Sequence, residues 1–410
     1  MGDLRPTFKL GVADSMFELV VLRRAEGGLP ISAGQIAEAL LYYRRVHVFI
    51  DRGTLFGLIK QLGPSAVLGL LQRSDFSAVY CEEILGTHTE SVGAFQVQSF
   101  AAFTLAGDQT AGQLNSVTDR LPYEIERQGV DRKTAKRFAD AFLRRVPVRR
   151  FSGDHFVQGG VTEAAKRDLL DITYTKQAIR RTLALSPGGY DPGESFKFDV
   201  IDTDIGMHVF TDIDFLAINA RRAGLPSPPD PLTIAHLLST IQDARADIAL
   251  ASHYGGDFVT SEVASAIIRV RHEELLRRAS LNQESRQQFA EVVLPDTPRL
   301  AEVIDSNERT FAEFLALLDR ADRFKRWLHS VNPDEGLVRT YLRDVSSESW
   351  INSLPTKGAR YVITQALDAT NPVIGLVAGI VDNFLIEKLL GGWRPNHFVS
   401  KALGPFVSTR

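Results

Sequence analysis

Between Lys197 and Asp214 the chain reads Lys-Phe-Asp-Val-Ile-Asp-Thr-Asp-Ile-Gly-Met-His-Val-Phe-Thr-Asp-Ile-Asp. From Ile201 to Phe215 the odd positions are apolar or Thr, while even positions carry Asp202, Asp204, His208, Asp212 and Asp214. On one extended strand this alternation predicts a single face bearing all of these ionisable groups. Such a face could ligate a divalent cation or move protons. Mixed carboxylate and imidazole donors at Asp202, Asp204, His208 and Asp212 suit Mn or Mg, with Mg favouring the carboxylates. The activity expected of that centre is metal-dependent hydrolysis, conceivably of nucleic acid.

The same residues also fit a structural role. Asp202-Thr-Asp-Ile-Gly206 has the composition of a turn between two short strands. Thr211-Asp-Ile-Asp214 fits a helix start, with the helix running through Phe215, Ala217, Ile218 and Ala220 to Gly224. Acids in a first helical turn are favoured by the backbone dipole. A wholly helical segment would align Asp204, His208 and Asp212 at successive turns, although Gly206 and the β-branched residues disfavour it. Asp204 and His208 are then the residues left without a structural explanation.

Other positions invite chemistry less directly. Arg271 falls within the apolar stripe of Ala264, Ile267 and Leu275, where a charge needs a partner. Glu274, one turn on, and the aspartate segment are the two partners expected for it. Asp51 closes the strand-like run Arg45–Ile50, and the carboxyl ends of strands are where α/β folds place ligands. The stretch Val46–Leu55 resembles the opening motif of PIN-domain nucleases, in which such an aspartate holds a metal. Here the usual Asp-Thr/Ser-Asn continuation is Asp-Arg-Gly, and no later acids of that family can be placed. His236, Thr240, Asp243 and Asp247 share the polar face of an amphipathic helix. Cys81 has Glu82 and Glu83 beside it, and carboxylates disfavour a nucleophilic thiolate.

The elements that must position these residues fall into two regions. Ser32-Ala-Gly-Gln35 is a capping box opening a helix to about Tyr43. Strands are expected at Arg45–Ile50, Phe76–Tyr80 and Ala94–Thr104, with a helix from Thr54 to Gly63 between the first two, hence at least one βαβ unit. From about Asn115 the pattern turns helical. After Leu232 apolar stripes recur at Ile234/Leu237/Leu238/Ile241, at Ala264/Ile267/Ile268 and from Phe311 to Leu328. The expected class is α+β: a mixed α/β domain over 1–150, then a mainly helical domain over 151–410. That second domain includes the Asp-rich segment 196–214 and an apolar helix at 372–390.

Composition narrows the function. The 410 residues carry a formal net charge of −3, which argues against wholesale attraction to nucleic acid or anionic lipid. One cysteine excludes an intrachain disulfide. With no basic-then-apolar profile at Met1–Pro6, a cytoplasmic location is expected. The apolar run Val373–Val381 is shorter than the about 20 residues that span a bilayer, so no transmembrane span is expected. Nucleotide-loop, dinucleotide, nucleophile-elbow and zincin motifs are missing. The first expectation is therefore a non-enzymatic protein that contacts a protein partner, or itself, through the helical C-terminal part. The alternatives are the metal-dependent hydrolase and a peripheral membrane attachment through residues 373–390.

Overall fold

The computed structural model describes residues 16–24, 29–93, 95–104, 106–294, 297–331, 336–345 and 395–408. Elements follow in chain order. The first are β1 (Leu19–Leu22), α1 (Ala33–Tyr42), β2 (Arg45–Ile50), α2 (Arg52–Leu62), α3 (Pro64–Leu70), β3 (Phe76–Tyr80), β4 (Glu83–Val92) and β5 (Phe95–Thr104). Next come α4 (Gln109–Gln113), α5 (Val117–Arg127), α6 (Arg132–Arg145), α7 (Gly160–Leu169), α8 (Ile172–Leu185), β6 (Phe198–Thr203) and β7 (Gly206–Thr211). Then follow α9 (Phe215–Ala223), α10 (Ile234–Tyr254), β8 (Asp257–Val259), α11 (Glu262–Val293), α12 (Leu300–Asp305), α13 (Phe311–Leu318), α14 (Asp322–Leu328) and α15 (Leu337–Val345). The last are α16 (Pro395–Phe398), a π-helical turn (Val399–Leu403) and α17 (Gly404–Val407). Helices and two sheets together make the protein α+β.

The chain forms two compact units. The larger comprises residues 19–36 and 45–280; the smaller comprises 1–18, 37–44 and 281–410. The larger unit thus holds chain from both sides of position 150.

In the larger unit a parallel sheet has the order β3-β2-β1-β8. Its central strand β2, Arg-Val-His-Val-Phe-Ile, is buried at every position after Arg45. A strand covered on both faces reads as a continuous apolar run, and so its bounds are plain in the sequence. Ser32 Oγ accepts from the Gln35 N–H while Gln35 Oε1 accepts from the Ser32 N–H, closing the expected capping box of α1. The crossover between β2 and β3 is two helices, broken at Gly63 and restarted by Pro64.

The second sheet is antiparallel, in the order β4-β5-β7-β6. Its inner face carries Phe198, Met207 and Gln98, all buried. Helix α10 packs on β4, α7 on β5 and α8 on β6. Ser239 of α10 donates to Thr87 Oγ1 at 3.0 Å, and Gln242 to the Ala101 carbonyl at 3.4 Å. Helix α10 also contacts β1 and β8, so it is the layer shared by both sheets. That explains why Leu237, Leu238 and Ile241 and also Ala244, Ala246 and Leu250 are buried around so much of its circumference. The helix stops at Gly255, which takes the left-handed conformation (φ 71°) that favours glycine after a helix end.

The smaller unit is built on aromatic residues. Phe289 meets Tyr42 and Tyr341 edge-on, and Phe324 stacks on Phe398 with centroids 4.9 Å apart. The apolar run Phe311–Leu328 becomes two helices, α13 and α14, and Phe314, Phe324 and Trp327 are fully enclosed. Among the described residues no helix is long and apolar enough to cross a membrane. The expected helix at 372–390 lies outside the described residues.

Candidate interaction surface

The aspartate segment is a hairpin followed by a helix. Strands β6 and β7 pair with Thr203 opposite Gly206, Asp202 opposite Met207 and Ile201 opposite His208. Directly opposed residues share a face. The two-residue turn Asp204-Ile205 therefore reverses the parity of the pattern. Phe198, Val200 and Asp202 lie on one face with Met207, Val209 and Thr211. Asp199, Ile201 and Thr203 lie on the other with His208 and Phe210. This corrects the expectation of one face bearing every ionisable group: Asp202 and His208 point to opposite sides of the sheet.

Each acid has its own local role. Asp202, at the end of the inner face, pairs with Lys166 of α7 at 2.9 Å. Asp204 occupies the exposed turn. Asp212 accepts from the Lys197 N–H at 2.8 Å, closing the open end of the hairpin. Asp214, rather than Thr211, is the N-cap of α9 and accepts from the Ala217 N–H at 2.9 Å. Among the described residues, no group of three or more His, Cys, Asp or Glu side chains is arranged to hold a metal ion.

His208 belongs to a different constellation. Register places Val92 opposite Phe95, Glu90 opposite Val97, His88 opposite Ser99 and Ile84 opposite Phe103 on the outer face of β4 and β5. His208 meets the Phe95 ring edge-on at 6.3 Å. The outer face thus runs across all strands of the sheet as Val92, Phe95, Phe103, Ile201 and Phe210, between 41% and 60% exposed, with Val97 enclosed among them. Its ionisable groups are His88, His208, Glu90 and Asp199. Antiparallel sheets commonly present a solvated face, but that face is normally polar. The sequence signal for this one was present in Phe95, Phe103, Ile201 and Phe210, and became readable only once register put them together.

The other candidate residues form buried or half-buried ion networks. Asp51 caps α2, accepting from the Thr54 N–H at 2.7 Å, and Arg24 approaches its other oxygen to 4.0 Å. Arg271 spans Asp168, at 2.9 Å, and Asp171, with its guanidinium 4.0 Å from the centre of the Tyr174 ring. The backbone N–H of Tyr174, followed by Arg271, holds the Asp171 carboxyl below its ordinary range. The acids seen on Arg271 come from the α7–α8 junction, about a hundred residues away, rather than from the aspartate segment, while the Glu274 side chain lies outside the described residues.

Sequence reasoning missed a second network altogether. Arg23, directly after β1, is buried and binds Asp243 at 2.7 Å and Asp247 at 3.0 Å. Thr260 also donates to Asp247. Burial opposes the Arg23 charge, but the two carboxylates outweigh it and raise its pKa. Burial pushes the Asp247 carboxyl up, against the pull of Arg23. Within the polar stripe of α10, Asp243 and Asp247 thus tie the helix to the end of β1, while His236 at its start is exposed. Burial also pushes the Cys81 thiol up to about 12, which keeps it protonated and inert.

His47 on β2 is buried, with Nδ1 2.8 Å from Ser77 Oγ and the ring against Tyr254. Its Nε2 is enclosed without a hydrogen-bond partner. Burial, then the nearby His253, pulls its pKa down to about 4.

The chain matches no protein family, no curated protein and no solved structure.

Proposed function

We propose that this protein acts by contact between macromolecules, and that the outer face of the antiparallel sheet is the contact surface, occupied by the same face of a second copy. The observation that carries this reading is the row of exposed apolar side chains, Phe95, Phe103, Phe210, Ile201 and Val92, spread over all four strands. Large exposed apolar patches with a polar rim mark association sites.

Charge supports a copy as the occupant. The face carries carboxylates, Glu90 and Asp199, together with imidazoles, His88 and His208. A surface that contains its own complements suits a two-fold contact in which the same residues meet from both sides. The magnitude is modest. Each of the three phenylalanines is about half exposed, so its full burial adds about 1 kcal/mol. Six rings then supply about 6 kcal/mol, near the low end of the about 4–15 kcal/mol that association costs. The expected dimer is weak and concentration-dependent.

Analytical ultracentrifugation of the full chain across a wide concentration range tests this. The wild type should shift toward twice the monomer mass as concentration rises, and Phe95→Asp and Phe210→Asp should each stay monomeric. Both side chains are exposed, so neither change should disturb folding. A wild type that is monomeric throughout, or variants that associate as before, overturns the proposal.

A further inference from the structure

From Arg132 to Arg150 the chain carries eight basic residues against one acid, Asp140. The formal net charge of −3 conceals this concentration, because acids outnumber bases over the rest of the chain. Six of the eight belong to α6 and all six are exposed, as is Arg150 beyond it. Helix α6 buries Ala135, Phe138, Ala139 and Phe142, and Phe142 meets the Tyr80 ring of β3 edge-on at 5.5 Å. After the helix, the Tyr80 N–H donates to the Pro147 carbonyl at 3.0 Å and the Arg149 N–H to the Tyr80 carbonyl at 2.8 Å. The helix and the chain that leaves it are thus fixed to the edge of the parallel sheet, and the cations form a ridge about 20 Å long.

Folding does not account for four of these charges. Arg144 and Arg145 suit the last turn of a helix, where the backbone dipole favours cations. Arg132 and Lys133 occupy the first turn, where the same dipole opposes them. Arg132 and Lys136, and likewise Lys133 and Arg137, are like charges one turn apart, which repel. Among the described residues none of these four has a carboxylate within 4.0 Å, and Asp140 pairs with no base. Arg127 of α5 and Arg180 of α8, by contrast, are met by Asp108 at 3.6 Å and by Asp191 at 3.0 Å. The sequence therefore concentrates charge where it weakens the helix, and an external polyanion is what offsets it.

We propose that the exposed face of α6 is a docking surface for double-stranded DNA, held through its phosphates. A duplex presents about one negative charge per 1.7 Å of its axis, hence about a dozen along this ridge. The helical period places Arg132 and Lys136 on one flank of the exposed face and Arg145 on the other, beside a crest of Lys133, Arg137 and Arg144. The major groove of B-form DNA, about 12 Å wide, admits a helix whose flanks meet the phosphates of both walls, whereas that of an RNA duplex is deep and narrow. The aromatic rings of α6, Phe138 and Phe142, are buried, so the face has no platform for unpaired bases. No exposed large apolar side chain lies on α6, which leaves nothing to enter a lipid surface. The ridge shares no residue with the outer face of the antiparallel sheet and is independent of the association proposed there.

Fluorescence anisotropy of a labelled DNA duplex, titrated with the full chain at salt concentrations from about 50 to about 200 mM, is the test. The logarithm of the affinity should fall against that of the salt with a slope of about −3.6 or steeper, as for four or more phosphate contacts. Arg132→Gln/Lys136→Gln should flatten the slope by about 1.8 and weaken binding roughly tenfold or more at the lower salt. The same variant should unfold thermally no earlier than the wild type, since it removes a first-turn cation and a like-charge pair. Arg320→Gln/Arg323→Gln deletes the same charge at exposed positions elsewhere and should bind as the wild type does. The single strand and an RNA duplex of the same sequence should bind more weakly than the DNA duplex. Absence of duplex binding at the lower salt, equal weakening in both double variants, tighter binding of single strand or RNA, or capture of phosphatidylserine vesicles in place of DNA overturns the proposal.

Discussion

At the scale of single residues, His47 is the group whose surroundings most alter its chemistry. It is neutral in the folded protein down to about pH 4, whereas an unfolded chain protonates it near its ordinary value of 6.5. Below that ordinary value the unfolded state binds the extra proton, so stability falls as pH drops from 6.5 to about 4. Each unit in that window costs about 1.4 kcal/mol. Urea unfolding at pH 7 and at pH 4.5 should therefore show a smaller loss in His47→Gln than in the wild type; equal losses would show that His47 is not the linked group. The sequence placed His47 in a buried strand but could not reveal its effect. The perturbation comes from burial, beneath groups that include the Tyr254 ring, and then from His253, both more than two hundred residues away. Arg271 and Arg23 were opaque for the same reason. A buried charge announces that it needs a partner, but the partner's identity is a matter of topology.

At the scale of elements, the β6–β7 hairpin depends on Gly206. Neither Asp204 nor Ile205 has positive φ, so the turn does not use the mirror-image conformations usual for two-residue hairpins. Gly206 absorbs the reversal with φ +130°, and a Cβ there would meet Val97 Cγ1 at 2.6 Å and the Gln98 carbonyl at 2.9 Å. Gly206→Ala should destabilise the protein by about 2 kcal/mol or more, since both strain and overlap oppose it. The check is the urea midpoint combined with amide exchange, which should quicken first in β6 and β7. Strand β2 was legible to the residue because burial on both faces leaves a nearly continuous apolar run, and β3 because its aromatic and β-branched residues outweigh one exposed serine, Ser77. Strand β4 was not, because its Thr87-His-Thr-Glu90 stretch is polar on both sides. β1 and β8 were too short to show a period. The alternation of acids was read correctly as extended structure, yet its faces were misassigned because alternation says nothing about where a strand turns back.

At the scale of the whole molecule, the C-terminal residues bear on how association is to be tested. Phe398, Val399, Leu403 and Val407 are buried in the smaller unit, and Phe398 stacks on Phe324. A chain cut after Pro372 loses all of them along with the apolar run 373–390. Such a truncation should destabilise the smaller unit, and Phe398→Ala alone should cost about 3–5 kcal/mol, measurable by thermal and urea unfolding. A loss of association after truncation would then report unfolding as readily as a missing contact. Internal deletion of 373–390 retains the residues that make those contacts and is the cleaner comparison. An unchanged stability in Phe398→Ala would remove this objection.

The two-residue link at Asp204-Ile205 also sets a rule for redesign. What fixes the two faces is which residues oppose each other across the turn: a residue added inside the link would lengthen it and leave Thr203 opposite Gly206, with Asp202 and His208 still on opposite sides. Only a one-residue slip of β7 against β6 would bring that acid and imidazole to one side, and the same slip would turn Met207 and Val209 out of the interior and push His208 and Phe210 into it. A metal-binding version of this hairpin would therefore have to exchange inward and outward residues along all of β7.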